Sequence, residues 1–494
     1  MPTRLTGMDA IWLNIETRAA HMHVGGAIVL DPSTTRKGGL TREGLTGYLA
    51  ERLHLAAPLR RRLSTVPCNL DFPAWIEDPD FDLDRHVRAA VLPAPGGLTE
   101  LGEFAAEVMS RPLDRTRPLW ELWFVEGLEG GRVGLVTKTH HAAVDGVSGA
   151  QLTAAIMQTA PDQRPLPPSA PWSPEREPSE LDKLVGAGLR LTTTPLRLAR
   201  TGAQTLQSVA GLLRAGADRR IPPPPAPFSA PVTRLNGAIG PRRRVAFCEL
   251  SLETIDGVRR SAGGTVNDVA LATIAGGLRS WFSACGEPVD EPLVAMVPIS
   301  TRPPGARGEV GNRVSAMLVA LPVDDDDPVV RLRAVSASAA GAKAQHGAMG
   351  ATTIQDLAEL TPGPVAALAA RLYTRYRGAD HHRPIWNLVV SNIPGPRVPL
   401  YCAGARMEAM YPLGPVHEMC GLNITLFSYR HQVYVGLNAD RDLLPDVAGL
   451  RDALTSALSE LGRAVGQGGR ARPVGARPVG ARPGAGGRLP DGTG

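Results

Sequence analysis

Two adjacent histidines followed by an Asp-Gly turn are the residues of this chain best suited to chemistry: Thr139-His140-His141-Ala142-Ala143-Val144-Asp145-Gly146. A histidine titrates near pH 6.5, so its neutral imidazole can take a proton from a substrate in neutral solution. An aspartate four residues beyond His141 can hold the turn that aims it, and Gly146 permits a tight backbone beside that aspartate. At a strand end the two side chains point to opposite sides. One then faces a channel and the other packs inward. That argues against both binding one metal, and no third ligand cluster lies nearby in sequence. Two satisfied polar residues at a turn would be the plain structural alternative. The position of the run, after a strand and before a helix, favours catalysis.

The elements that must position the pair can be read around it. Leu119–Val125 and Val133–Thr139 are strand candidates joined by the turn Gly127–Gly131, a hairpin that delivers both histidines at its exit. Gly149–Thr159 has helical composition, with Ser148 near its start as a cap. Upstream, His23–Leu30 is strand-like and Arg42–His54 spaces its apolar residues as a helix does. Pro161–Pro178 has the Pro, Ser and charge of a linker. Leu181–Arg220 reads as a long basic helix broken near Pro195, either packed on the body as a crossover or lying on a membrane surface. Ile221–Pro225 closes this linker as stiff polyproline.

Beyond it, strands are expected at Arg244–Leu250, Leu293–Pro298, Val314–Leu321, Leu388–Ser391, Leu422–Tyr429 and Gln432–Leu437, with helices at Ser251–Ser261 and Val266–Phe282. Four segments follow: an N-terminal lobe over 1–160, a linker and crossover helix over 161–230, a C-terminal lobe over 231–466, and a disordered Gly/Ala/Arg/Pro tail over 467–494.

At 494 residues the chain exceeds one ordinary core, and 43% hydrophobic residues suffice for globular interiors. Of the net charge of +5, the tail beyond Gly466 holds +4, so the body lacks the electrostatic footprint of nucleic-acid binding. Cys68, Cys248, Cys285, Cys402 and Cys420 are scattered, with no CxxC pair, so neither a disulfide framework nor a zinc knuckle is expected. A reducing, cytoplasmic compartment fits. The first 15 residues lack the apolar stretch of a secretory signal, and no apolar run nears the roughly 18 residues that span a bilayer. Contact with the inner membrane face or with lipid inclusions would be peripheral. Asp324–Asp327 and His381-His382, the latter without a following Asp-Gly, read as solvated loops.

Several further stretches occur in a recognisable order: Met8-Asp9-Ala10, His21-Met22-His23-Val24-Gly25-Gly26, Arg117-Pro118-Leu119-Trp120, the run over 140–146, Leu235-Asn236-Gly237 with Arg242-Arg243-Arg244, Asn267-Asp268, Pro298-Ile299-Ser300-Thr301-Arg302, Gly311-Asn312, and Asn387 through Pro396. Together they resemble the bacterial wax ester synthase/diacylglycerol acyltransferase family, within the chloramphenicol acetyltransferase-like superfamily, over roughly residues 5–462. The resemblance implies an α/β fold of two chloramphenicol acetyltransferase-like lobes, mixed sheets flanked by helices, with a central channel and a helical crossover linker.

The resemblance also implies roles. His141 would be the general base, taking the proton of an acceptor hydroxyl as it attacks an acyl-CoA thioester, with His140 in support. Asp145 would hold the loop through Arg302, and Gly146 would allow its turn. No cofactor is implied, since acyl-CoA is a substrate, and no covalent acyl-enzyme calls on a cysteine. Asn267 and Asp268 open a helix, where N-capping and a functional role both fit. Asn387, Ser391 and Asn392 are expected at a strand exit, as polar groups near the acyl carbonyl. Pro118, Leu119 and Trp120 lead a strand, where core packing is the first reading and channel lining the second. Diacylglycerol ranks ahead of a long-chain alcohol as acceptor, because the Ala-, Gly-, Arg- and Pro-rich composition is that of a high-GC bacterium, in which the family commonly stores triacylglycerol. A condensation-type acyltransferase with another hydroxyl or amine acceptor is the second reading, and a non-catalytic lipid-droplet-binding protein the third.

Overall fold

The computed structural model describes residues 2–36, 38–143, 156–163, 165, 167–168, 172–189, 223–300, 314–349 and 363–468. Its frame is two six-stranded sheets. The first has the order β12 (Tyr401–Cys402), β13 (Ala405–Leu413), β2 (His23–Asp31), β7 (Val133–His140), β6 (Trp120–Glu126) and β5 (Val87–Val91). The second runs β10 (Val314–Leu321), β9 (Leu293–Ser300), β11 (Leu388–Pro394), β14 (Leu422–Tyr429), β15 (Gln432–Asp440) and β8 (Arg243–Ser251). A small sheet of β1 (Thr3–Arg4), β4 (Ala74–Glu77) and β3 (Arg61–Ser64) completes the set.

The two-lobed α/β architecture expected from the resemblance is the one observed. Its lobes nevertheless exchange chain. β13, almost 380 residues after β2, pairs with it antiparallel, from Arg406 opposite Asp31 to Leu413 opposite Gly25. Gly25 and Gly26 let three backbones close here, because a Cβ on either would collide with the carbonyl of Thr137 or Tyr411.

The second sheet is buried on both faces, and its side chains alternate between two cores. Ala246, Cys248, Ile424, Leu426, Val433 and Val435 face a helical layer. Phe247, Phe427, Tyr429 and Tyr434 face the first lobe. The helical layer holds α4 (Leu252–Ala262), α5 (Val266–Ala284), α6 (Pro328–Met349) and α8 (Val447–Gly468). α5 is apolar nearly all round, as a helix enclosed by others must be, and Gly277 brings it within touch of the Leu454 backbone of α8. Asp327, in the acidic run read as a loop, accepts from the N–H groups of Val329 and Val330 and so caps α6.

α1 (Gly7–Asn14) packs against the turn that follows the histidine strand, α3 (Leu98–Ser110) against β8 and β7, and α7 (Gly363–Arg375) against α1. The basic segment expected over 181–220 is described only to residue 189, where 180–189 is helical. The helix expected over Gly149–Thr159 lies outside the described residues apart from its last few positions, and the tail lies outside them from residue 469. Among the described residues no helix is long and apolar enough to cross a membrane.

Candidate active site

The hairpin of β6 and β7 forms as expected and carries the pair to its exit. His140 is the last residue of β7, opposite His23 of β2. Its N–H donates to the Leu119 carbonyl at 2.9 Å, and that of His141 to Met22 at 2.7 Å. The chain then turns through a short 3-10 segment, His141–Ala143, and at this turn the two rings part.

The His140 ring goes inward and is buried. Its Nδ1 accepts the Ala142 N–H at 3.1 Å, so its proton sits on Nε2 and points to Glu16 Oε2 at 3.3 Å. Glu16 also meets His21 Nδ1 through Oε1 at 3.2 Å, while His23 Nε2 stands 3.9 Å away. Arg115 pairs with the same carboxylate and donates to the Leu13 carbonyl. Burial pushes the Glu16 carboxyl upward. Hydrogen bonds from His140 and His21, with the charge of Arg115, outweigh it and hold the group well below the usual carboxylate range. Burial keeps His140 and His23 below the ordinary imidazole range.

His141 has a different setting. Its ring lies on the indole of Trp12 from α1, with centroids 4.2 Å apart and planes 19° from parallel. Ala142 beside it joins Leu5, Leu13, Leu63, Leu113 and Leu119 in an apolar cluster, with Trp12 and Ala143 against its edge. Burial pushes the His141 imidazole down to about 4, against the upward pull of its own backbone carbonyl. The ring is therefore neutral at pH 7, as a proton acceptor must be.

The other expected residues divide. Asn267 and Asn392 come together, Asn392 Nδ2 donating to Asn267 Oδ1 at 3.4 Å across the start of α5 and the end of β11. Asp268 is buried in a capping box: its carboxylate accepts from Thr265 N–H at 2.8 Å while Thr265 Oγ1 accepts from Asp268 N–H at 3.2 Å. The capping reading of the pair thus has Thr265 as its N-cap. Ser391 lies within β11 opposite Thr425.

Asn387 corrects the expectation that placed it at a strand exit. It precedes β11, at the end opposite Asn392, and is fully buried. Its Oδ1 accepts from Val294 N–H at 2.8 Å, and its Nδ2 donates to the Pro231 carbonyl at 2.7 Å and Asn236 Oδ1 at 2.8 Å. Every polar atom of the amide is spent on scaffold. Asp145, Gly146 and Arg302 lie outside the described residues. Trp120 packs as expected, its indole N–H donating to the Leu59 carbonyl at 2.9 Å and its ring stacking on His86.

Glu16, His21, Arg115 and Trp12 were not read from the sequence as parts of one site. One signal was present: His21 lies just before, and His23 begins, the strand that pairs with the histidine strand, and Glu16 stands five residues before His21. A polar cavity of about 220 Å³ lined by Arg62, Asp78, Asp80, Asp82, Arg85, His86, Thr116 and Arg117 contains none of the histidine-pair residues. The His141 ring, by contrast, lies against the face of Trp12. Among the described residues no cluster of His, Cys, Asp and Glu could hold a metal ion.

Comparison with known proteins bears on this arrangement. Residues 5–270 match the wax ester synthase/diacylglycerol acyltransferase catalytic domain, and 310–462 match the C-terminal domain of the same family. The chain belongs to that family. A Mycobacterium tuberculosis (strain ATCC 25618 / H37Rv) protein named for diacylglycerol O-acyltransferase activity is 36% identical over 463 residues, 93% of this chain and 90% of that one. A second from strain CDC 1551 is 34% identical, over 93% and 98%. The solved wax ester synthase/diacylglycerol acyltransferase from Marinobacter aquaeolei VT8 superposes with a TM-score of 0.66 at 30% identity, over 94% of this chain and all of that one. The first condensation domain of the CDA synthetase shares the fold, with a TM-score of 0.55 at 20% identity and coverage of 94% and 96%. As a member of the family, the protein is an acyltransferase.

Proposed function

We propose that the protein transfers the acyl group of acyl-CoA to the free hydroxyl of diacylglycerol, giving triacylglycerol, with long-chain alcohols as second acceptors that give wax esters. The observation that carries the reading is the separation of the two histidines. His140 is tied to Glu16, whereas His141 is a neutral imidazole in an apolar slot. His141 takes the hydroxyl proton as that oxygen attacks the thioester carbonyl. The tetrahedral intermediate then breaks its C–S bond, and the departing CoA thiolate recovers the proton. Acyl-CoA and the acceptor supply every atom of this exchange. Cys248, Cys402 and Cys420 have thiols pushed up to about 12 by burial, which suits a route without an acyl-cysteine.

In this reading Asp145 and Arg302 pair to hold the loop after His141, and Gly146 permits its turn. Ser391, Asn267 and Asn392 sit where β9 and β11 part. These parallel strands pair only at Leu388–Ala295 and Val389–Met296, while β11 continues along β14 as far as Pro394. The carboxyl ends of parallel strands that diverge are a usual place for a ligand, which favours the expected channel there. A long acyl chain gains about 0.8 kcal/mol per methylene buried in such a channel.

The acceptor is itself a lipid, and α7 supports peripheral association with a membrane or lipid inclusion. Val365, Leu368, Leu372 and Tyr376 form an exposed apolar stripe at helical spacing, flanked by Arg371 and Arg375. The double variant L368E/L372E is expected to lose flotation with anionic vesicles. Flotation equal to the unaltered protein would remove the assignment.

The reading is tested by CoA release from palmitoyl-CoA, with diacylglycerol and hexadecanol offered separately. Release is expected with diacylglycerol, falling about 10²–10⁴-fold in His141→Ala. Release with hexadecanol alone would make wax ester synthesis the activity. An unimpaired His141→Ala would refute the base.

A further inference from the structure

The base has no carboxylate partner among the described residues. Glu16, with Arg115, is turned to His140. Nδ1 of His141 is buried, and no hydrogen bond to it is formed among the described residues. What covers the ring is Trp12, face on face. Trp12 is wedged between two apolar clusters. One is the Leu5, Leu63, Leu119 and Ala142 group beneath the turn; the other is Ala20, Met22, Ile239 and Val416, which joins the two lobes. Its indole N–H is likewise buried and without a partner among the described residues. The ring is thus held by packing, not by a hydrogen bond.

We infer that Trp12 is the positioning residue of His141, its indole face fixing the imidazole and keeping it dry and neutral until the proton-transfer step. The indole changes no bond. The acceptor proton moves to an edge nitrogen of the imidazole, while the indole holds the ring by its face. This stack does for His141 what the Glu16 carboxylate does for His140. A base so held needs no buried carboxylate beside the lipid path, where a second unpaired charge would be costly. The inference rests on His141 as the base but not on the identity of the acceptor.

The stack also governs hydration. Met22 approaches His141 through its backbone, α1 presents the indole, and the charged group acting on the ring among the described residues is His140. Trimming the indole admits water and lets the imidazole rise toward its ordinary range.

The test uses the full chain with two variants. Trp12→Phe keeps an aromatic face and removes the N–H, while Trp12→Leu removes the face. With palmitoyl-CoA and whichever acceptor supports turnover, Trp12→Leu is expected to lose about tenfold in kcat, with KM for acyl-CoA within about twofold, and Trp12→Phe to stay within about threefold. Without substrate, the pH dependence of diethyl pyrocarbonate labelling of His141, read by peptide mass spectrometry, is expected to shift upward in Trp12→Leu and to hold in Trp12→Phe. Unchanged kcat and labelling in Trp12→Leu would overturn the inference. So would equal losses in both variants, which would assign the role to the indole N–H. If no acceptor supports turnover even in the unaltered protein, the proposed function fails, and the labelling profile still decides the stack.

Discussion

Replacing Glu16 by alanine removes the one carboxylate that gathers His140, His21 and Arg115, and the cost can be worked from its contacts. The side chain is about one-tenth exposed, so its hydrogen bonds are largely shielded from water. Arg115 is nearly half exposed and can rehydrate, so its loss counts for little. The histidine bonds count for more. His140 Nε2–H loses its acceptor in a buried site, and His21 Nδ1 loses its partner. At about 1.5 kcal/mol for each charge-assisted bond, the variant should be destabilised by about 3 kcal/mol. An unfolding entropy of about 2 cal/mol/K per residue converts this to a fall of about 3–6 °C in melting temperature, for the whole chain or one lobe as the unit.

Activity should fall further than stability, because the freed His140 ring no longer fixes the turn from which His141 starts. We expect kcat to drop at least tenfold at a temperature where the variant is folded, with KM for acyl-CoA little changed. Glu16→Gln, which keeps one acceptor oxygen, should fall between. Thermal melts by circular dichroism and steady-state CoA release give both numbers. A melting temperature within 1 °C and a kcat within twofold of the unaltered protein would refute the idea that this carboxylate sets the site.

Acid should destabilise the fold through its buried neutral histidines. His141 titrates near 4 when folded and near 6.5 when unfolded, so the unfolded chain binds the proton first. The stability this group contributes is complete above pH 6.5 and declines as pH falls to about 4, by at most about 3 kcal/mol. Urea midpoints at pH 7.5 and 5 should separate accordingly, and His141→Phe should narrow that gap. Asn387→Ala strands Val294 N–H and the Pro231 carbonyl in the core and should cost about 2–4 kcal/mol, while per-molecule turnover of the folded fraction stays near normal. A kcat collapse with an intact melt would return Asn387 to the site. Asp145→Asn and Arg302→Ala should each lower both melting temperature and turnover if the two residues pair, and a normal melt in both would sink the pairing. Truncation after Gly468 should leave turnover of a dispersed substrate unchanged, as measured by CoA release.

The sequence alone determined what is local. Apolar alternation placed β2, β6, β7, β8, β14 and β15 close to their observed limits, because a strand buried on one or both faces must show that pattern. The Gly127–Gly131 turn between two such runs dictated the hairpin, and the hairpin dictated where His140 and His141 emerge. Ordered short stretches spread over the chain carried the family. What sequence could not supply was any contact closed over a long loop. β13 joins the first sheet from the far end of the chain, and nothing in Ala405–Leu413 names β2 as its partner. Asn387 and Asn392 lie five residues apart, yet opposite ends of one strand give the first to the scaffold and the second to Asn267 at the start of α5. Glu16 and Trp12, from one helix and the turn after it, choose different histidines of the same pair. Residue types at positions 140 and 141 are identical, and only the family resemblance set them apart; packing supplies the physical difference, a carboxylate against one ring and an indole against the other.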